Sequence, residues 1–305
     1  MIEWTSRRLF LGGAAACALI GTSACGGKKE AEPAPEALDA PEEPVSTAPE
    51  GSLEWAVEGP WRSAADKARD QYRHPMETLR FFGLQPTMKV VDFWPGGGWY
   101  TDIIAPYLNK GRGKMVCAGF AEGEGADPAQ VAVNNALKAR LESDRKLYGT
   151  VEFTHFGATT GSVVEVPGTA DLVLFMRYIH VWMAAGLAEK AFDDAFAALR
   201  PGGILGVEQH RLGPDEDQDP AAANGYVQEA FVRQLAEEAG FVFVESSEIN
   251  ANPADTKDHP FGVDTLPPTR RSSAPGEPPN LDFDHSKYDE IGESDRMTLK
   301  FRKPE

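Results

Sequence analysis

Four short stretches of this chain carry residues that could do chemistry. In Asp92-Phe93-Trp94-Pro95-Gly96-Gly97-Gly98 a carboxylate closes an apolar run and three glycines follow. Glycines there let the backbone turn tightly and approach a ligand with no Cβ in the way. A helix expected from Thr101 would then offer unpaired N–H groups at its start. Arg177 and His180, in Arg177-Tyr178-Ile179-His180-Val181-Trp182, follow a second apolar run, and Glu208, His210 and Arg211 follow a third. An imidazole at a strand end can take a proton from a bound molecule or orient it. Glu208 and His210, two apart on a strand, share a face, which fits a base with its orienter and fits a buried polar pair equally well. Asp258-His259 sits in a long polar stretch, where it could close over a ligand or stay solvated. His180, His210 and His259 show no local spacing that would bring two of them to one ion, so no metal is expected.

These groups need a scaffold, and the hydrophobic pattern supplies one. Apolar runs at Lys89–Phe93, Met115–Phe120, Val151–Phe156, Ala170–Met176, Ile204–Glu208, Phe241–Glu245 and Met297–Phe301 read as strands. Helix-period segments lie between them at Thr101–Leu108, Pro128–Leu147, Leu187–Leu199 and Tyr226–Ala239. Pro106 should bend or end the first of these, and Pro201-Gly202-Gly203 should stop the third. Ahead of the first strand, Trp61 to Phe82 reads as one or two helices interrupted at His74-Pro75. Its stretch from Arg69 to Pro75 is dense in polar groups, either a solvated face or a lid. Alternating strands and helices make an α/β fold, a doubly wound and mostly parallel sheet with helices on both faces. Residues 249–296, between the last two strands, are rich in Pro, Asp, Ser and Gly. A loop of that length leaving a strand's carboxyl end is expected to act as a lid over the ligand.

The N-terminal segment reads differently. Residues 1–25 have the form of an export signal: Ser6-Arg7-Arg8-Leu9-Phe10-Leu11, resembling a twin-arginine signal, and then an uncharged run too short to span a membrane. Thr22-Ser23-Ala24-Cys25-Gly26 resembles a lipoprotein cleavage box, which makes Cys25 the expected lipidation site. Residues 26–55, rich in Pro, Glu and Ala, read as a disordered tether, and residues 56–305 as the folded domain. The protein is thus expected to be exported to the periplasm and membrane-anchored as a lipoprotein, with no membrane contact beyond that lipid. Cys117, on a strand, reads as a small buried apolar residue. A net charge of -17 argues against nucleic acid as a partner, since phosphate binding needs clustered Lys and Arg. It also mildly disfavours an anionic substrate.

The Trp94–Thr101 turn, Arg177–Trp182, Glu208–Arg211, Ile249–Pro253, Asp255–Pro260 and Gly292–Met297 together resemble a family of exported bacterial methyltransferases. That family falls within the class I S-adenosylmethionine-dependent superfamily, and the likeness runs from about Arg62 to Lys303. It implies a Rossmann-like seven-stranded sheet whose last strand is antiparallel, with S-adenosylmethionine as cofactor. Asp92, Trp94, Gly96, Gly97 and Gly98 fall on the family's cofactor-binding turn, with Trp94 in the place of its first glycine. Gly119-Phe120 stands where an acid would hold the ribose hydroxyls, so Glu122 or Glu124 must reach in, and Glu122 is assigned. His180, Arg177, Glu208 and His210 are the expected catalytic residues, and Arg211, Asp258 and His259 the expected substrate or lid residues. The expected function is methyl transfer to a small-molecule or cell-envelope acceptor outside the cytoplasm. The competing expectation is a non-catalytic ligand-binding lipoprotein that keeps the fold.

Overall fold

The computed structural model describes residues 47–305. The export signal, Cys25 and the tether up to residue 46 lie outside the described residues. The tether was expected to reach residue 55, but helix α1 (Leu53–Val57) already begins there. Ser52 accepts the Trp55 N–H at its N-cap, and Leu53 and Ala56 are buried.

Seven strands form one sheet: β1 (Lys89–Phe93), β2 (Lys114–Phe120), β3 (Val151–Phe156), β4 (Ala170–Met176), β5 (Leu199–His210), β6 (Val242–Ser247) and β7 (Arg296–Arg302). Their order across the sheet is β3-β2-β1-β4-β5-β7-β6, and β7 alone runs against the rest. This is the α/β Rossmann-like arrangement expected, with the antiparallel last strand. The chain winds outward from β1 in both directions, so the crossover switches sides between β1 and β4. Ligands of such sheets bind in that crevice, beyond the carboxyl ends of the strands.

Strand pleating divides the core in two. Val91, Phe93, Val173, Phe175, Leu205 and Val207 face one layer, which holds helices α8 (Ile179–Ala184), α9 (Ala188–Ala198) and α10 (Glu229–Glu238). Val90, Cys117, Leu172 and Leu174 face the other layer, with α1, α4 (Pro75–Phe82), α5 (Thr101–Gly111) and α6 (Pro128–Ser143). Asp92 follows the parity of Val90 and so points to the second layer.

Several boundaries differ from expectation, each for a local reason. The segment before β1 forms three helices, α2 (Ala64–Lys67), α3 (Asp70–Arg73) and α4. His74 takes a left-handed φ of 37° between α3 and α4, and Pro75 opens α4. Pro106 does not end α5. It removes one backbone donor, and the carbonyl of Asp102, four residues earlier, instead accepts the Trp61 indole N–H at 2.8 Å. The helix expected over Pro128–Leu147 breaks at Asp144, which caps a second short helix, α7 (Arg145–Tyr148). The Pro201-Gly202-Gly203 segment lies within β5, where the register with β4 is irregular, and does not precede the strand. Helix α10 starts at Glu229, three residues later than expected. Helix α8, unforeseen, follows β4 directly. Residues 249–296 contain one 3-10 turn, Gly262–Thr265, and α11 (Ser286–Ile291).

Candidate functional site

At the switch point between β1 and β4 lies a cavity of about 270 Å³. Its walls come from the glycine turn (Asp92, Trp94, Gly96 and Gly97), from the end of β4 (Met176, Arg177 and Tyr178) and from the α2–α3 region (Asp66, Arg69 and Arg73). Trp99, Tyr100 and Asp102, at the start of α5, complete it.

The three glycines of the turn do different work. Gly96 (φ 56°) and Gly98 (φ 85°) occupy backbone conformations that disfavour a side chain. A Cβ on Gly98 would also stand 2.5 Å from Leu137 on α6, so this glycine lets α6 pack against the turn. Gly97 has open space where its Cβ would be, and it lines the cavity. It is the glycine a ligand would approach. Gly98 does not line the cavity.

Trp94 takes a φ of 51° at the end of β1, and Arg177 a φ of 68° at the end of β4. Left-handed backbone at two non-glycine residues on adjacent strand ends is strain of the kind that collects at ligand sites. The Trp94 indole turns out of the cavity centre. Its Nε1 donates to the carbonyl of Phe156, at the end of β3, at 3.0 Å. Its ring sits against Phe120 at 4.8 Å and Tyr178 at 5.5 Å between centroids. Since β2 lies between β1 and β3, the indole covers the carboxyl end of β2 and walls that side of the cavity. Glu122 is outside that wall. It accepts from Asn134 at 3.0 Å and pairs with His155 at 3.2 Å, so it does not line the cavity.

Asp92 is buried and its Oδ1 has no hydrogen-bond partner. Burial raises its pKa to about 7, with Arg177 pulling the other way. A buried, unpartnered carboxyl on a cavity wall is ready for a cation or a hydrogen-bond donor.

The opposite wall is basic. Glu293, beside the start of β7, receives the Arg69 Nε at 2.7 Å and the Arg73 Nε at 2.8 Å. Glu208, fully buried on β5, receives Arg177 at 2.9 Å, Arg296 at 2.8 Å and the Tyr100 hydroxyl at 2.9 Å. Burial would raise the Glu208 carboxyl, but Arg177, Arg296 and Arg73 outweigh it and hold it at about 2. Burial, and then repulsion from Arg177, draw the Arg73 guanidinium down to about 9. Arg73 also lies over the Trp99 ring, 4.8 Å from its centroid. Glu208 is therefore a permanently ionised anchor behind Arg177, and not a base.

The expected site residues thus divide. Asp92, Trp94, Gly96, Gly97 and Arg177 line the cavity, with Glu208 behind Arg177. His180 and His210 do not reach it. They meet each other over β5, with ring centroids 5.3 Å apart. His180 Nδ1 faces the Gln209 amide at 3.2 Å, and His210 Nδ1 faces the Ser294 hydroxyl at 2.6 Å, so Glu208 and His210 do not pair. Burial lowers His180 to about 4 and His210 well below the usual imidazole value. Arg211 is spent on Asp295 and Glu248. His259 is buried against Asp255, 2.7 Å away, and Asp258 faces solvent beside Thr256.

These corrections share one cause. Residues 249–296 leave from β6 and return into β7, so they cover the β5 side of the sheet, and none of them lines the cavity. The cavity's cover comes instead from α2 and α3. Arg69 and Arg73, which sequence reasoning left among a polar lid or surface, are the residues missed. Their spacing of four places both on one face of a short helical stretch, and that was the available signal. Among the described residues no cluster of His, Cys, Asp or Glu could hold a metal ion.

No family model and no curated protein matches the sequence. Among solved structures the chain is similar to the [4+2]-cyclase SpnF, with 16% identity over 80% of this chain and 82% of that one and a TM-score of 0.47. It is similar also to a SAM-dependent methyltransferase from Aquifex aeolicus, with 17% identity over 60% and 87% and a TM-score of 0.43. The N-methyltransferase NodS from Bradyrhizobium japonicum WM9 gives 13% identity over 79% and 99%, with a TM-score of 0.46. At these identities and TM-scores the likeness says nothing of ligand or reaction.

Proposed function

We propose that this protein binds S-adenosylmethionine at the β1/β4 cavity and transfers its methyl group to an acceptor. The observation that carries the reading is the turn itself: Gly97 opens to the cavity at the switch point, beside the unpartnered Asp92 carboxyl. When bound, S-adenosylmethionine supplies an activated methyl on a sulfonium. The chain's part is alignment, and positioning of this kind can supply on the order of 7–11 kcal/mol. Asp92 suits the ammonium of the donor's amino-acid end, and Gly96 and Gly97 let the backbone come close to it. The cavity is near the lower end of the roughly 300–1,000 Å³ that encloses a drug-sized ligand. It therefore suits the polar end of the donor and not its whole body.

The adenosine end fits less well. The place the resemblance gives the ribose, over the end of β2, is covered by the Trp94 indole, and Glu122 is turned away. This favours a second reading, a binding protein that keeps the fold without the catalysis. Isothermal titration tests the first reading, and transfer of a labelled methyl group from the donor separates it from the second. Under the first reading S-adenosylhomocysteine binds wild-type protein; absence of binding with a Kd tighter than about 1 mM rules it out and leaves the second.

We also propose that the protein works outside the cytoplasm as a lipid-anchored enzyme, on the strength of Ser6-Arg7-Arg8 and of the Cys25 cleavage box. Cell fractionation of wild type and Cys25→Ser tests this. Both forms staying in the cytoplasm would refute export, and equal release of both from membranes would refute lipidation.

A further inference from the structure

The chain is acidic as a whole, yet the wall that Arg69, Arg73 and Arg177 give the cavity is basic. Four guanidinium groups, Arg69, Arg73, Arg177 and Arg296, share two carboxylates, Glu208 and Glu293. The neighbouring pairs are each matched one to one: Arg62 with Asp70 and Arg140 with Asp102. They have nothing to lend. Two other carboxylates line the cavity: Asp66, which keeps its charge and accepts the Ser63 hydroxyl at the start of α2, and Asp92, which lies across on β1, so the four guanidinium groups still outnumber the carboxylates on their side.

Geometry leaves donors free as well as charge. Arg69 and Arg73 each meet Glu293 through Nε, and no hydrogen bond joins their Nη atoms to another described residue. Arg177 meets Glu208 through Nη1. Glu208 and Glu293 sit behind the arginines and hold the guanidinium planes in place, which reduces the ordering cost of binding. A guanidinium presents paired N–H groups that match the two oxygens of a carboxylate or phosphate. Three of them on one wall of a small, partly enclosed cavity is a receptor for an oxyanion. Field lines from such a recess are focused, so a local positive site survives on a negative protein.

We infer that Arg69, Arg73 and Arg177 clamp an oxyanion, a carboxylate or phosphate, carried by the molecule that accepts the methyl group. This rests on the methyl-transfer reading of the same cavity, and it names the acceptor as an anionic small molecule. It reverses the expectation drawn from net charge.

The test is calorimetric titration with inorganic phosphate and, in a separate arm, with malonate. Each is run on the free protein and on protein saturated with S-adenosylhomocysteine. The expected result is binding of at least one anion in both states, weakened roughly tenfold by Arg69→Gln, the loss of one charge-assisted contact. The arm that binds tighter identifies the group as phosphate or carboxylate. Arg69 is the most exposed of the three, so Arg69→Gln should remain folded, and Arg69→Lys should recover part of the affinity. Anion binding that S-adenosylhomocysteine abolishes would overturn the inference, because the clamp would then belong to the donor's own carboxylate. So would anion affinity unaffected by Arg69→Gln, or no anion binding in either arm. If S-adenosylhomocysteine itself gives no signal, the methyl-transfer reading fails; an anion affinity that still falls with Arg69→Gln would leave the clamp standing.

Discussion

Gly97 and Gly98 are neighbours in sequence, and they should respond in opposite ways to substitution. A side chain on Gly97 meets open space, so Gly97→Leu should change stability by no more than about 0.5 kcal/mol while filling the cavity. Its expected effect is a loss of ligand affinity of tenfold or more in titration. Gly98→Ala forces a left-handed residue against Leu137 and Arg140 and should cost about 1–3 kcal/mol in urea unfolding. Asp92 yields a pH-dependent counterpart. Its pKa is about 7 folded against an ordinary carboxyl value of 3.8, so the folded chain holds a proton that the unfolded chain has lost between those values. Stability contributed by this group therefore falls as pH rises from about 4 to 7. Asp92→Asn should be more stable than wild type at pH 8, by up to about 4 kcal/mol, with the difference vanishing near pH 4. A wild-type protein that is the more stable of the two at pH 8 would contradict the buried, unpartnered carboxyl.

Among the elements, the turn between β1 and α5 holds its shape partly through Trp94. Trp94→Gly relieves the left-handed strain but removes an indole packed among Phe120, Phe156, Tyr178 and Trp182. A net loss on the order of 3 kcal/mol is expected. The same change opens the end of β2, so S-adenosylhomocysteine affinity should rise if the indole obstructs the ribose position, and stay level if it does not. The strands that frame this turn were legible in the sequence, because a sheet buried on both faces leaves continuous apolar runs. Helix α8 was not legible. Arg177-Tyr178-Ile179-His180 continues from a strand with no cap residue and no break, and only the tight turn at Arg177 starts the helix. The histidines carried by α8 and β5 looked catalytic because they follow strand ends. Sequence order could not show that the β5 end is roofed by residues 249–296, while the β1 end is roofed by α2 and α3. The cavity's glycine wall was therefore readable and its arginine wall was not.

Across the whole molecule, acid should be the weak direction. His180 is held near 4 and His210 well below its usual value, so unfolding takes up protons as pH falls below 6.5. Stability from these two groups is full above that value and is lost as pH drops toward 4. Glu208, held at about 2, adds a further loss below its ordinary value of 4.5. Asp92 opposes this trend but is a single group. Urea midpoints measured from pH 7 to pH 4 should fall, and His180→Gln should flatten the slope. An unchanged slope would mean the imidazole is not kept neutral by burial.

The position of β7 has a bearing on the order of events during synthesis. Among the described residues β6 pairs with no strand but β7, yet residues 248–295 are made between them. Until β7 arrives, β5 ends the paired part of the sheet and β6 waits with both of its edges open. Arg296, at the start of β7, then brings the guanidinium that shares Glu208 with Arg177. The ion cluster behind the cavity wall and the far edge of the sheet are thus completed together, and a nascent chain halted before residue 296 lacks both at once.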